Sequence, residues 1–305
     1  MFCLALAGLI ADYQRSGVWK AQHVWALFSS TPRGSLALKI AITLQKGGVG
    51  KTSVAVNLAG AMAGDRGLRT VLVDMDSQCN ATSHLLGDEH TGPTLSAVLR
   101  GEVRLRDALV PCEDERLLVL PGAPDLVAFE RGGDDPRRAR TILGVRGLLE
   151  NDIPEDVDVV LIDTPPGGGL WLQAALAAAD GFVIVAWPDG FSANGILALL
   201  DTVEQVKEAY NPDLSLEGLV INHVRNTNGH RGYTEVLQDI YGDVLLEPAI
   251  PVRSVISDAR DACMPVEYYE RRYRSHSPTA PIFRAIAANL ADRVGLRSAP
   301  LALAG

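Results

Sequence analysis

Ile42-Thr-Leu-Gln-Lys-Gly-Gly-Val-Gly-Lys-Thr-Ser53 decides how the rest of this 305-residue chain is read. An apolar run, Leu38 to Leu44, leads into it, and small and apolar residues at helical spacing, Thr52 to Ala63, lead out. The pattern predicts strand, loop and helix in that order. Gly47, Gly48 and Gly50 let the backbone curl until successive N–H groups face one point, and the helix adds its positive N-terminus there. Phosphate is the ligand that such a loop suits. Lys51 is placed to neutralise β- and γ-phosphates, and the Thr52 hydroxyl to ligate Mg²⁺ that keeps most of its waters. The candidate nucleotide contacts are therefore Lys46, Gly47, Gly48, Val49, Gly50, Lys51, Thr52 and Ser53. Gln45 stands where the general pattern G-x-x-x-x-G-K-[ST] has its first glycine, and Lys46 beside it is an additional lysine.

Working outward, Thr70–Asp74, Leu117–Leu120, Val157–Asp163, Phe182–Ala186, Leu219–Asn222 and Val244–Ile250 read as further strands. Leu170–Ala179 and Asn194–Ala209 read as helices, and Arg131–Arg140 as a surface turn into another helix. Continuously apolar strands separated by helices imply a mostly parallel sheet buried on both faces, an α/β doubly wound fold with helices on both sides.

Two strands end in carboxylates, Asp74 with Asp76 beyond it, and Asp163. The C-terminal edge of a parallel sheet faces the ligand crevice, so these groups are candidates to hold metal-bound water or to orient an attacking water. The plainer alternative is a strand-end carboxylate that caps the next element. The segment after Asp163, Thr164 to Gly169, carries three successive glycines, the freedom that a phosphate-sensing loop needs.

The loop with its extra lysine resembles the deviant Walker A motif of the ParA/MinD superfamily of P-loop ATPases. The resemblance spans roughly residues 38–294 and is strongest at 41–82 and 159–166. It implies a P-loop NTPase fold, binding of ATP with Mg²⁺, and slow, partner-stimulated ATP hydrolysis. It assigns Lys46 the role of reaching across a nucleotide-sandwich homodimer to the partner's phosphates. Val71-Leu-Val-Asp-Met-Asp-Ser-Gln-Cys-Asn-Ala-Thr82 is similar to the family's D-x-D-P-Q-G-N-A-T segment. Asp76 then takes the position tied to hydrolysis, with Lys46 and Lys51 completing the catalytic set, and Asp74 lies beside the metal with Thr52 and Asp163. Ser77 replaces the usual proline and Cys79 the usual glycine. Asn222 and Pro251 match positions near the adenine, where a buried asparagine and a loop proline are the alternatives.

The family's ParA-type members bind DNA non-specifically as ATP dimers and segregate plasmid or chromosomal DNA with a ParB-type centromere-binding partner. Arg253, Arg271, Arg272 and Arg274 are the candidate DNA contacts, although acidic residues are interleaved with them. A net charge of −9 excludes a protein that coats nucleic acid with its whole surface, but not a local patch. The alternative is a nucleotide-gated protein that positions cargo or regulates, MinD-like or otherwise, without DNA segregation. A MinD-like membrane anchor would be a basic amphipathic helix; residues 297–305 carry Pro300 and little charge, so no membrane partner is expected. Four cysteines without metal-ligand spacing fit a reducing cytoplasm; the ParA resemblance implies nucleoid association when ATP is bound. Residues 1–35 form an extension that begins apolar, lacks a leading basic residue, and is either an extra helix or a stretch upstream of the true translation start; residues 36–296 form one ATPase domain.

Overall fold

The structure, a computed structural model, describes residues 37–130, 135–273 and 278–296. The extension at 1–35, the tail at 297–305 and Arg274 lie outside the described residues. The elements are β1 (Leu38–Thr43), α1 (Lys51–Gly64), β2 (Thr70–Asp74), α2 (Asn80–Leu86), α3 (Leu95–Leu99), α4 (Leu105–Ala108), β3 (Val110–Pro111), β4 (Leu117–Leu120), α5 (Val127–Glu130), α6 (Asp135–Asn151), β5 (Val159–Asp163), α7 (Leu170–Ala178), β6 (Gly181–Ala186), α8 (Gly190–Ala209), β7 (Ser215–Ile221), α9 (Asn228–Tyr241), α10 (Ser254–Asp261), α11 (Val266–Tyr273) and α12 (Ala280–Arg293).

Seven strands form one sheet in the order β3-β4-β2-β5-β1-β6-β7, parallel except for the β3–β4 pair. Every residue of β1, β2, β4, β5, β6 and β7 is buried, so the sheet is covered on both faces, as the continuous apolar runs predict. β1 is central, flanked by β5 and β6. Register brings the chemistry to one level: Asp74 lies opposite Asp163, and Asp163 opposite Ile42, just before the loop. Three neighbouring strand ends thus meet at the carboxyl edge of the sheet, where the crossovers diverge to either side of β1.

The expected strand at Val244–Ile250 is corrected. A 3₁₀ turn occupies Gly242–Val244, and the following chain makes only isolated bridges, Leu219 with Leu245 and Val224 with Pro251. Pro248 and Pro251 have no N–H to give to a ladder, so the segment runs beside β7 without becoming an eighth strand. The expected turn at Arg131–Arg140 is shorter than read, because α6 begins at Asp135.

α1 is buried on almost its whole circumference and has no polar face. Its outer side is covered by the C-terminal helices. Asn57 donates to Ser53 O at 2.7 Å and accepts from Val266 N at 2.7 Å, which satisfies the first turn of α11. Glycine permits the close approach: a Cβ on Gly60 would stand 2.4 Å from Pro265 Cβ. Gly60→Ala therefore forces α1 and α11 apart, and the expected loss of stability is about 1–3 kcal/mol, read from the denaturant midpoint.

Candidate nucleotide-binding site

The phosphate loop leaves β1 and turns back at Gly48 and Gly50, with φ of 77° and 83°, the left-handed region that glycine adopts freely. Asn222, at the end of β7 and buried, donates from Nδ2 to Val49 O at 2.8 Å and braces the loop from behind. A Cβ on Gly50 would lie 2.4 Å from that same Nδ2. The Lys51 side chain folds over the loop, donating to Lys46 O at 3.3 Å. Burial lowers the Lys51 pKa, opposed by the carboxylates of Asp163 and Asp76. A cleft of about 1010 Å³ opens above, lined by Gly47, Gly48, Gly50, Lys51, Thr52 and Ser53 on one side and by Asp76, Thr164, His223 and Arg260 around its walls.

Asp163 is fully buried, and among the described residues neither carboxylate oxygen has a hydrogen-bond partner. Burial, with the neighbouring Asp74 charge, pushes its pKa up to about 8; Thr52 and Lys51 pull the other way. A buried carboxylate left this way is costly unless a cation joins it. Among the described residues no group of three or more His, Cys, Asp or Glu could hold a metal ion. Mg²⁺ does not need one, since it takes one or two carboxylates, keeps its waters and shares the substrate's phosphates. Asp163 and Thr52 fit that requirement.

Asp74, expected beside the metal, has a different set of partners. Its Oδ2 accepts from Thr82 N at 2.8 Å and Thr82 Oγ1 at 2.7 Å, and its Oδ1 from Asp76 N at 3.1 Å. Burial raises its pKa to about 6 despite these donors. The geometry is that of the capping alternative: Asp74 ties β2 to α2 and fixes the backbone that carries Asp76. Asp76 lines the cleft, and its Oδ1 accepts from Gln78 N at 2.9 Å.

Cys79 adopts a left-handed conformation, the kind that glycine takes freely, with φ 55° at the N-cap of α2. Burial and the charges of Asp74 and Asp76 push its thiol up to about 12. Of the adenine candidates, the Asn222 amide is engaged with the loop. Pro251 lines a separate groove with Arg225, Arg231 and Thr234 rather than the phosphate cleft. Arg271 bridges Glu267 at 2.8 Å and donates to Gly64 O at 2.7 Å, and Arg272 pairs with Glu113 at 2.6 Å. All three are exposed, but Arg271 and Arg272 carry these ion pairs at the surface, while Arg253 stands at the start of α10. Tyr268, on the same helix as Arg271 and Arg272, is buried and belongs to the core.

Sequence reading missed four partners. Asp189 forms an ion pair with Lys46 at 2.6 Å, and Trp187 lies beneath the same ammonium, 5.4 Å from ring centroid to Nζ. Gln45 Nε2 donates to Ala198 O and Thr202 Oγ1 of α8, which anchors the loop's entry. Thr164 Oγ1 donates to Ile42 O at 2.8 Å, which joins β5 to β1 below the glycine segment. Their partners lie more than a hundred residues away in sequence, where no local signal exists.

A glycine loop on the central strand, a lysine within it and an unpartnered acidic strand end beside it define a P-loop nucleotide-binding protein. A family model described as an AAA domain matches residues 37–216. The chain is 33% identical over 236 residues to the chromosome partitioning protein ParA of Myxococcus xanthus, covering 76% of this chain and 81% of that protein. It is 32% identical over 252 residues to the sporulation initiation inhibitor protein Soj of Bacillus subtilis, covering 82% and 98%. Among solved structures, the septum site-determining protein MinD of Pyrococcus horikoshii, complexed with Mg-ADP, matches with a TM-score of 0.68 at 25% identity, covering 87% of this chain and 100% of that one. The chain belongs to the ParA/Soj family of P-loop ATPases. No helix among the described residues is long and apolar enough to cross a membrane.

Two measurements check the site. Because the Asp163 pKa is raised, its ionisation opposes folding, and the nucleotide-free protein loses stability as pH rises from about 4 towards 8. Asp163→Asn should flatten that slope, raise stability at pH 8.5 by about 1–3 kcal/mol, and abolish the melting-temperature rise that Mg-ATP gives the parent. Cys79→Gly should raise stability by about 0.5–1 kcal/mol by removing left-handed strain, less glycine's entropy loss.

Proposed function

We propose that the chain is an ATP-driven DNA-partition switch. It dimerises with ATP bound, binds DNA without sequence preference in the cytoplasm, and is reset by a ParB-type partner that stimulates hydrolysis. The observation that carries this reading is the pair of lysines, Lys51 inside the loop and Lys46 at its entry, beside an unpartnered buried carboxylate.

The loop N–H groups and Lys51 hold the β- and γ-phosphates. Thr52 and Asp163 would hold Mg²⁺, which would supply positive charge against the phosphates. Two subunits close face to face, and each presents Lys46 to the other's phosphates. Asp76, its backbone fixed by Asp74, orients water for in-line attack on the γ-phosphorus; the bond to the ADP oxygen breaks, inorganic phosphate leaves, and the dimer separates. Asp74 acts through Asp76 and Thr82 rather than on the metal. Asn222 supports the loop, and adenine contact by Asn222 or Pro251 is not part of this reading. The DNA-binding face includes Arg253; Arg271 and Arg272 contribute only if their internal pairs open.

The internal pairing of those arginines favours one further reading, a nucleotide-gated positioner of another cargo. Retention of plain duplex DNA separates the two, measured with ATP, with ADP, and with ATP and Lys51→Ala protein across a salt series. The expected result is binding that needs ATP, disappears in the variant and weakens steeply with salt. An ATP-dependent dimer that ignores DNA would move the assignment to cargo positioning. Asp76→Ala is expected to keep ATP binding and lose hydrolysis, and normal turnover by that variant would remove the water-orienting role.

A further inference from the structure

Lys46 must leave its own subunit to reach another's phosphates, yet here it is held at home. Its ammonium lies 2.6 Å from Asp189 Oδ2 and over the Trp187 ring, with the two paired side chains 23% and 30% exposed. Asp189 is itself rigidly placed. It is the N-cap of α8, and its Oδ1 accepts from Ser192 N at 2.8 Å and Ser192 Oγ at 2.9 Å. Ser192 Oγ in turn accepts from Trp187 N at 3.2 Å. The two carboxylate oxygens are thus divided between a helix cap and the lysine. Partial burial works against ionisation of Asp189, but hydrogen bonds from Lys46 and Ser192 hold its carboxyl below the usual range, so it is charged at neutral pH.

Trp187 carries the arrangement towards the nucleotide. Its ring stacks on His223, centroids 4.8 Å apart and planes 26° from parallel. His223 lines the phosphate cleft and has φ 58°, a left-handed conformation that is unusual outside glycine.

We propose that Asp189 is the positioning residue for Lys46: it latches the lysine within the free subunit, and dimer formation requires that latch to open. The inference rests on the sandwich-dimer reading given above. Opening exchanges one half-buried ion pair for a lysine–phosphate pair in the partner, so the latch raises the ATP occupancy at which subunits associate without altering the chemistry of the site. It also keeps a long cation off the protein's own loop, where Lys51 already supplies the charge. His223 and Trp187 link the cleft to the latch, so a nucleotide that shifts His223 loosens the lysine.

The test is Asp189→Asn in the full chain. Asparagine caps a helix as well as aspartate does, so α8 keeps its Ser192 bonds while the negative charge that faces Lys46 is lost. Association is followed by sedimentation with a poorly hydrolysed ATP analogue and Mg²⁺, beside Ser192→Ala, which weakens the cap and leaves the ion pair. The expected result is a dimer dissociation constant about 2- to 30-fold lower in Asp189→Asn, two latches being opened per dimer, with nucleotide affinity of the monomer unchanged. Ser192→Ala should not tighten the dimer. An unchanged or weaker dimer in Asp189→Asn overturns the latch. Lys46→Ala serves the underlying reading separately: if it dimerises like the parent, the sandwich role of Lys46 fails, whereas loss of its dimer beside an unaltered Asp189→Asn leaves that role standing and removes only the latch.

Discussion

Asp163 ends a strand of otherwise apolar residues, and nothing among the described residues completes the hydrogen bonding of its carboxylate. The sheet can carry that group because β5 lies between β1 and β2, both fully buried, so the penalty is borne by the best-packed region of the molecule. Lys51 and Thr52 sit where they do because α1 starts from the neighbouring strand. The carboxylate and the loop therefore form one electrostatic unit that is short of a cation and short of an anion. Mg-nucleotide supplies both, and binding energy is drawn from relief of desolvation already incurred in folding.

Support for the site arrives from distant parts of the chain. Asn222 holds the loop from behind, Gln45 ties its entry to α8, and Thr82 holds Asp74 so that Asp76 stands at the cleft wall. None of these side chains needs to touch substrate. They fix the backbone whose N–H groups do, which is how a loop with two left-handed glycines keeps one shape.

The fold was legible because a buried parallel strand writes itself as an uninterrupted apolar run, and six of the seven predicted strands stand close to where they were read. Val244–Ile250 is apolar enough to pass for a strand, but Pro248 within it and Pro251 just after it have no N–H to donate to a ladder. The phosphate loop was legible because glycine, lysine and threonine at fixed spacing are local. The two readings of Asp74, metal neighbour or cap, could not be separated in sequence, because its observed partner is a threonine eight residues away that is reached through the left-handed turn at Cys79. The ion pair of Arg272 was not legible either: charge in sequence says nothing about Glu113, which is brought to Arg272 only by the tertiary fold.

The seating of α11 on α1 has a consequence for how the protein is made. The helix that follows the phosphate loop is translated early, but the partner helix that its Asn57 caps begins 209 residues later, at Val266. At bacterial and eukaryotic ribosome speeds that interval lasts roughly 10–40 s. During it the apolar flank of α1 has no cover, and the nucleotide site stands on an unfinished foundation. A nascent chain is therefore exposed to aggregation longest at the segment on which its activity depends, and its burden on cellular chaperones is set by the last third of the sequence rather than by the first.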